Sequence, residues 1–204
     1  MSETKQIKSS NTQKLSDKKT PKLPKDETKQ LEQSKTRAKK IKHSYSVKDA
    51  DNSIVLKLKN GDVVIEMYPD VAPNHVARIK ELVRDGFYNG LKFHRVIDGF
   101  MAQTGCPYGN GTGGSGQKLK AEFNRIPHQR GTVSMARSMF PDSADSQFFI
   151  CFADCSWLNG QYTVWGQVTS GMEHVDAIKK GTGSNGEVSD PDEIISMNVI
   201  ADLA

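Results

Sequence analysis

Asn60-Gly61, set between two runs of alternating apolar residues at 54–59 and 62–68, constrains this chain more than any other feature. An Asn-Gly pair between such runs is the strongest short-range signal for a tight β-hairpin. A two-residue turn there predicts that Leu58 faces Val63, Leu56 faces Ile65 and Ile54 faces Met67. All six are apolar and share one face of the ribbon. Antiparallel sheets that cover a core have this one-sided pattern, and parallel sheets buried on both faces do not.

The rest of the chain continues in short strands. Apolar runs bounded by glycine, proline and polar residues predict strands at 92–96, 100–104, 132–136, 147–152, 163–169 and 195–200. Two helices interrupt them. The first follows Asp70, a candidate cap, and Pro73, with Ala72, Val76, Ile79 and Val83 as its apolar stripe and Gly86 as its stop. The second is expected over residues 172–180, with Met172, Val175 and Ile178 inward and Gly181 ending it. Helices do not alternate with strands, which argues against a βαβ fold. The expected class is mainly β, a closed eight-stranded antiparallel barrel capped by two α-helices.

Charge divides the chain in two. Residues 1–45 hold 13 Lys/Arg and 5 Asp/Glu, a net +8, whereas residues 46–204 hold 15 and 19, a net −4. The basic segment carries almost no large apolar side chains and cannot offset its ordering entropy by burial. The expected organisation is therefore a disordered basic extension over residues 1–48 and a folded body over 49–204. The extension is a solvated tail or an electrostatic arm for acidic proteins or nucleic acid, although no aromatic residue before Tyr45 offers a base-stacking platform. No apolar run reaches bilayer length and none resembles a secretory leader, so the expected location is the cytoplasm. Cys106, Cys151 and Cys155 are an odd number with no metal-ligand spacing, and are read as buried thiols in a reducing compartment.

Several chemistries find little support. Gly109-Asn-Gly111-Thr-Gly113-Gly114 matches a dinucleotide fingerprint, but the polar stretch 115–118 cannot be the helix that fingerprint needs, so a flexible surface loop is expected. The five histidines form no metal-binding pattern. His94 is expected near the core, His75 on a helix surface, and His43, His128 and His174 toward solvent. No nucleophile elbow is present, and Asp142, Ser143, Asp145 and Ser146 look like a solvated turn after Pro141. No metal and no cofactor is expected.

Residues 93–103 have a different character, placing one arginine and one glutamine among Phe93, Val96, Ile97, Phe100 and Met101. Arg95 is either paired with a distant carboxylate such as Glu122 or presented at a groove. Six separated blocks then occur in order: Phe93-His94-Arg95, Gly99-Phe100-Met101-x-Gln103, Gly111-Thr112-Gly113-Gly114, Ser134-Met135-Ala136, Ser146-Gln147-Phe148-Phe149-Ile150 and Trp157-Leu158-x-Gly160. Together they resemble the cyclophilin family of peptidyl-prolyl cis-trans isomerases across residues 53–199.

The resemblance implies an eight-stranded barrel with a helix over each opening. It also implies a rotamase that speeds rotation about X-Pro bonds in unfolded or folded client proteins, acting as a folding assistant or chaperone. It assigns Arg95 as the catalytic residue, assisted by Gln103 and Phe100. Phe100, Met101, Phe149 and Leu158 would form the proline pocket. Gln103 and Gln147 would orient the arginine or the substrate carbonyl, the backbones of Ala136 and Arg137 would bind the extended peptide, and Trp157 would form part of the rim. A tryptophan there implies binding of cyclosporin-type inhibitors. Tyr162 stands where many members carry a pocket histidine, Arg137 replaces a common asparagine, and Asp98 replaces a common proline; these departures bear on peptide preference. A monomer is expected. A non-catalytic proline-peptide module, or a barrel carried by a nucleic-acid tether, are the competing readings.

Overall fold

The computed structural model describes residues 47–203, together with Lys29 and Tyr45. The expectation of a disordered extension falls outside the described residues.

The predicted hairpin forms from β1 (Ser53–Leu58) and β2 (Gly61–Met67), but two residues out of the expected register. Ile54 pairs with Ile65, Leu56 with Val63 and Leu58 with Gly61, so the turn residues are Lys59 and Asn60. Neither of these adopts positive φ; Gly61 does. A side chain at Gly61 would collide with the imidazole of His174, so glycine serves here to admit a helix as well as to leave a turn. A shift of two preserves the faces, and Ile54, Leu56, Leu58, Val63, Ile65 and Met67 are all buried together. The opposite face is not left to water. Val55 and Val64 lie under Tyr45, Val47, Ala50, Ile200 and Leu203, and the Tyr45 hydroxyl donates to Asp62 at 2.9 Å.

Helix α1 (Pro73–Arg84) buries Val76, Ile79, Leu82 and Val83 as its stripe requires. Asp70 does not cap it. Glu122, 47 and 48 residues downstream, accepts from the backbone N–H groups of Asn74 and His75 at 3.0 Å each. Its carboxylate supplies the negative charge and acceptors that a helix N-terminus lacks. His75 is therefore fully buried, not on the surface, with its ring 2.6 Å from the same carboxylate. The strands β3 (Arg95–Ile97), β4 (Met101–Thr104), β5 (Thr132–Met135), β6 (Phe148–Cys151) and β7 (Val164–Ser170) follow, then α2 (Met172–Asp176) and β8 (Ser196–Val199). Helix α2 ends earlier than expected, yet Val175 and Ile178 are buried and Met172 packs on the core.

All eight strands join one antiparallel sheet in the order β3-β4-β6-β5-β7-β2-β1-β8. The ladder does not close. Edge strands β3 and β8 do not pair as strands; two isolated bridges, Lys92 with Glu193 and Arg95 with Glu187, and the loop around Gly186 to Val188 stand between them. The sheet is an open, curled one in place of the closed barrel expected. Its concave face is filled by a single apolar cluster containing Phe93, Val96, Ala102, Val133, Met135, Phe148, Ile150 and Trp165, onto which both helices pack. No helix among the described residues is long and apolar enough to cross a membrane.

Candidate active site

Strand alternation sends every second residue of β3, β4 and β6 to the convex face. The antiparallel register sets Arg95 opposite Gln103 and Gln103 opposite Phe149. The next row is Ile97, Met101 and Cys151. Directly opposed residues share a face and touch, so the registers alone bring a guanidinium, an amide and an aromatic ring into one line. A second apolar cluster forms there from Met101, Phe149, Cys151, Cys155 and Leu158, with Ile97, Phe100, Ala136 and Tyr162 packed against it. A 3-10 turn, Ser156–Leu158, brings Leu158 over the strands.

Between these groups lies a cavity of about 100 Å³, lined by Arg95, Phe100, Met101, Gln103, Ala136, Arg137, Phe149, Leu158 and Tyr162. Nine of the expected site residues thus meet at one place. Gln147 and Trp157 stand beside it. Trp157 is 58 % exposed, with its ring 5.5 Å from that of Phe100. Gln147 lines a second, larger hollow of about 270 Å³ that shares Gln103, Ala136 and Arg137 with the first.

Arg95 is half-buried and has no carboxylate partner among the described residues. Glu122, its possible distant partner, is committed to His75 and the start of α1. Arg95 Nε donates to the Asn185 carbonyl at 3.0 Å and one terminal nitrogen donates to Gln103 Oε1 at 3.2 Å. Gln103 Nε2 donates to Gln147 Oε1 at 3.0 Å. Gln147 Nε2 in turn donates to the carbonyls of Gly111 and Gly113 at 2.9 and 2.7 Å. The relay fixes both amide orientations, because carbonyl oxygens at its far end accept only. The other terminal nitrogen of Arg95 has no partner among the described residues. Burial lowers the pKa of the guanidinium, but arginine stays charged in proteins.

The glycine-rich stretch is tied to this relay by Gln147 and to Asp145. That carboxylate accepts from the Ser115 backbone N–H at 2.6 Å and the Gly116 N–H at 3.1 Å. The polar loop after Pro141 is therefore a set of ties. Ser146 is fully buried and donates to the Gly105 carbonyl at 2.7 Å.

His128 was expected to face solvent, but it is buried behind the cavity. Its ring stacks on Phe149 at 6.1 Å and meets the edge of Tyr162 at 6.4 Å. Its ring nitrogens lie 3.1 Å from Asn159 Oδ1 and 3.0 Å from Ser134 Oγ, and burial lowers its pKa. No local pattern around His128 announces this, because its partners come from β5 and the turn at Asn159. Ala136 gives its N–H to the Gln147 carbonyl at 2.9 Å. Its own carbonyl and the Arg137 N–H have no partners among the described residues. No group of three or more metal-ligating side chains occurs among the described residues.

The family model for cyclophilin type peptidyl-prolyl cis-trans isomerase matches residues 53–199. A probable peptidyl-prolyl cis-trans isomerase of Brucella suis is 56 % identical over 170 residues, covering 77 % of this chain and 87 % of the relative. The peptidyl-prolyl cis-trans isomerase B of Bacillus subtilis is 46 % identical over 127 residues, covering 61 % of this chain and 88 % of its own. Among solved structures, a cyclophilin from Hirschia baltica superposes with a TM-score of 0.68 at 29 % identity, covering 76 % of each chain. A Cryptosporidium parvum cyclophilin solved in the presence of the dipeptide Ala-Pro gives 0.66 at 26 % identity, over 72 % of this chain and 98 % of that one. The chain belongs to the cyclophilin-type peptidyl-prolyl cis-trans isomerase family and is an isomerase acting on prolyl bonds.

Proposed function

We propose that Arg95 carries the catalysis and that the cavity beside it holds the proline ring. Amide resonance sets a rotation barrier of about 18–20 kcal/mol, and uncatalysed X-Pro exchange takes tens to hundreds of seconds. Reaching millisecond turnover requires roughly 10⁴-fold, or about 5.5 kcal/mol. No proton transfer or covalent bond is needed. As the bond twists, the prolyl nitrogen leaves conjugation and its lone pair becomes an acceptor. The unpartnered nitrogen of Arg95 is the donor placed to meet it. A charge-assisted hydrogen bond is worth about 1.5–3 kcal/mol, so orientation and an apolar surround supply the rest.

The observation that carries this reading is a half-buried guanidinium with neutral partners only. An ion pair would stabilise the charge in every state, whereas a guanidinium held by amide and carbonyl oxygens keeps its remaining donor for the reaction. Phe100, Met101, Phe149, Leu158 and Tyr162 grip the ring. The Ala136 carbonyl and Arg137 N–H hold the flanking chain. Trp157, beside Phe100, is the rim against which cyclosporin-type inhibitors would pack.

The substrates are proline-containing peptides and client proteins, and the role is that of a folding assistant. The Ala-Pro dipeptide used with the Cryptosporidium relative supports this substrate class. Three free, buried thiols favour a reducing compartment such as the cytoplasm. The basic extension serves as a solvated tail or as an arm for acidic partners or nucleic acid, and the body acts as a monomer.

The test is kcat/KM for an X-Pro peptide with wild type and Arg95→Ala. A loss of about 10- to 150-fold is expected from one charged hydrogen bond. Equal rates would remove Arg95 from the mechanism and favour a non-catalytic proline-binding module.

A further inference from the structure

The loop from Arg137 to Ser143 exposes two adjacent large apolar side chains, Met139 at 81 % and Phe140 at 67 %. Such exposure is ordinary on a floppy loop, but this loop is tied at several points. Ser138 and Ser143 are joined through their hydroxyls at 2.8 Å, and the Ser138 N–H also donates to Ser143 Oγ at 3.0 Å. Ser143 donates to the Phe140 carbonyl at 2.6 Å, closing the turn that carries both side chains. Arg137 clamps the base. Its guanidinium donates to the Gln161 carbonyl at 3.0 and 2.8 Å, and to the Ser138 carbonyl at 2.9 Å. It also lies over the Tyr162 ring at 4.6 Å and the Phe123 ring at 5.8 Å. The loop is thereby bonded to a wall of the proline cavity.

Ser138 and Ser143 also line the second hollow, whose other wall, formed by Gln103, Ala136 and Arg137, is shared with the proline cavity. A chain with its proline in the first cavity and its backbone on Ala136 and Arg137 runs along that wall toward the loop. Apolar side chains held in place before binding lose little entropy when a partner covers them, and exposed apolar groups beside a groove mark contact surfaces.

We propose that Met139 and Phe140 form a rigid apolar shelf that selects clients carrying a large apolar side chain within about three residues of the proline. The occupant is the client polypeptide itself, argued from Arg137, Ser138 and Ser143, which flank the two side chains in the chain and line the second hollow, Arg137 lining the proline cavity as well. This inference rests on the prolyl isomerase reading of the site.

The experiment uses the full chain and a set of synthetic peptides with an Ala-Pro core. Leu or Ser is placed in turn at each of three positions on either side, and cis-trans exchange is followed by NMR. Wild type should favour Leu over Ser about tenfold in kcat/KM at one of these positions. The double variant Met139→Ser, Phe140→Ser should lose that preference while turning over the bare Ala-Pro core at the wild-type rate. A preference that persists in the double variant, or none in wild type, overturns the shelf. So does concentration-dependent self-association abolished by the double variant, which would give the surface to a second copy of the chain. Failure of the underlying reading is separate: wild type would then not turn over the bare core at all.

Discussion

The two faces of strands β3, β4 and β6 are built from alternate residues of the same short segments, yet they do different work. On the concave face, Val96, Ala102, Phe148 and Ile150 join a core without a hydrogen-bonded side chain among them. On the convex face, Arg95, Gln103, Phe149 and the adjoining Gln147 combine an apolar cavity with a three-member polar relay. Neighbours in sequence, Phe148 and Phe149 are therefore neighbours in neither packing nor role. A period of two lets one strand hold the fold with one set of side chains and present chemistry with the other.

The largest effect expected from this division is on the concave side. Phe148→Ala should cost about 3–5 kcal/mol, as deletion of a fully buried ring does. Urea unfolding should show it, while turnover per folded molecule stays near wild type. A large fall in turnover per folded molecule would mean that the faces are not separable.

Smaller effects belong to the convex side. Gln103→Ala removes the hydrogen bond from the charged Arg95 on one side and a neutral one to Gln147 on the other, and should lower kcat/KM about 2- to 10-fold, with little change in urea midpoint. Gln147→Ala acts one link further away and should cost less than Gln103→Ala. The reverse order would mean that Gln147, not Gln103, positions the guanidinium.

The smallest expected effect is on the pH profile. Burial lowers the pKa of both His94 and His128, with the nearby Arg95 charge adding to it for His94. A histidine whose folded pKa lies below its unfolded value, about 6.5, binds protons more readily when unfolded. Its contribution to stability is therefore complete above about pH 6.5 and is lost as the pH falls toward the depressed folded value. Melting temperature should fall as pH drops from 6.5 to 5. Turnover between pH 6 and 8 should be nearly flat, because the arginine charge does not titrate there. A bell-shaped rate profile in that range would bring a titrating group into the site.

Much of this division could be read from alternation in the sequence. The strand positions and the inward-facing residues follow from period two, whereas the members of the cavity came from the resemblance carried by the six motif blocks. What was hidden depends on distant partners. Glu122 caps α1 from 47 residues away, so nearby Asp70 looked like the cap. The hairpin lies two residues from the expected register, with Gly61 just past the turn and against the imidazole of His174, an approach that local turn rules do not contain. His128 is polar in isolation and becomes a buried wall only when Ser134 and Asn159 satisfy its ring. Counting strands could not show that β3 and β8 leave the barrel open, since closure depends on whether the edges meet.

The central claim is that Arg95 meets the prolyl nitrogen in the twisted state and does more than bind the peptide. Exchange NMR on an Ala-Pro peptide held at saturation by wild type and by Arg95→Ala measures this directly, because it reads the rate of rotation on the protein, separate from affinity. We expect the variant still to bind the peptide, while rotation on the protein slows about 10- to 150-fold. An unchanged rotation rate, with the whole defect in affinity, would contradict the account.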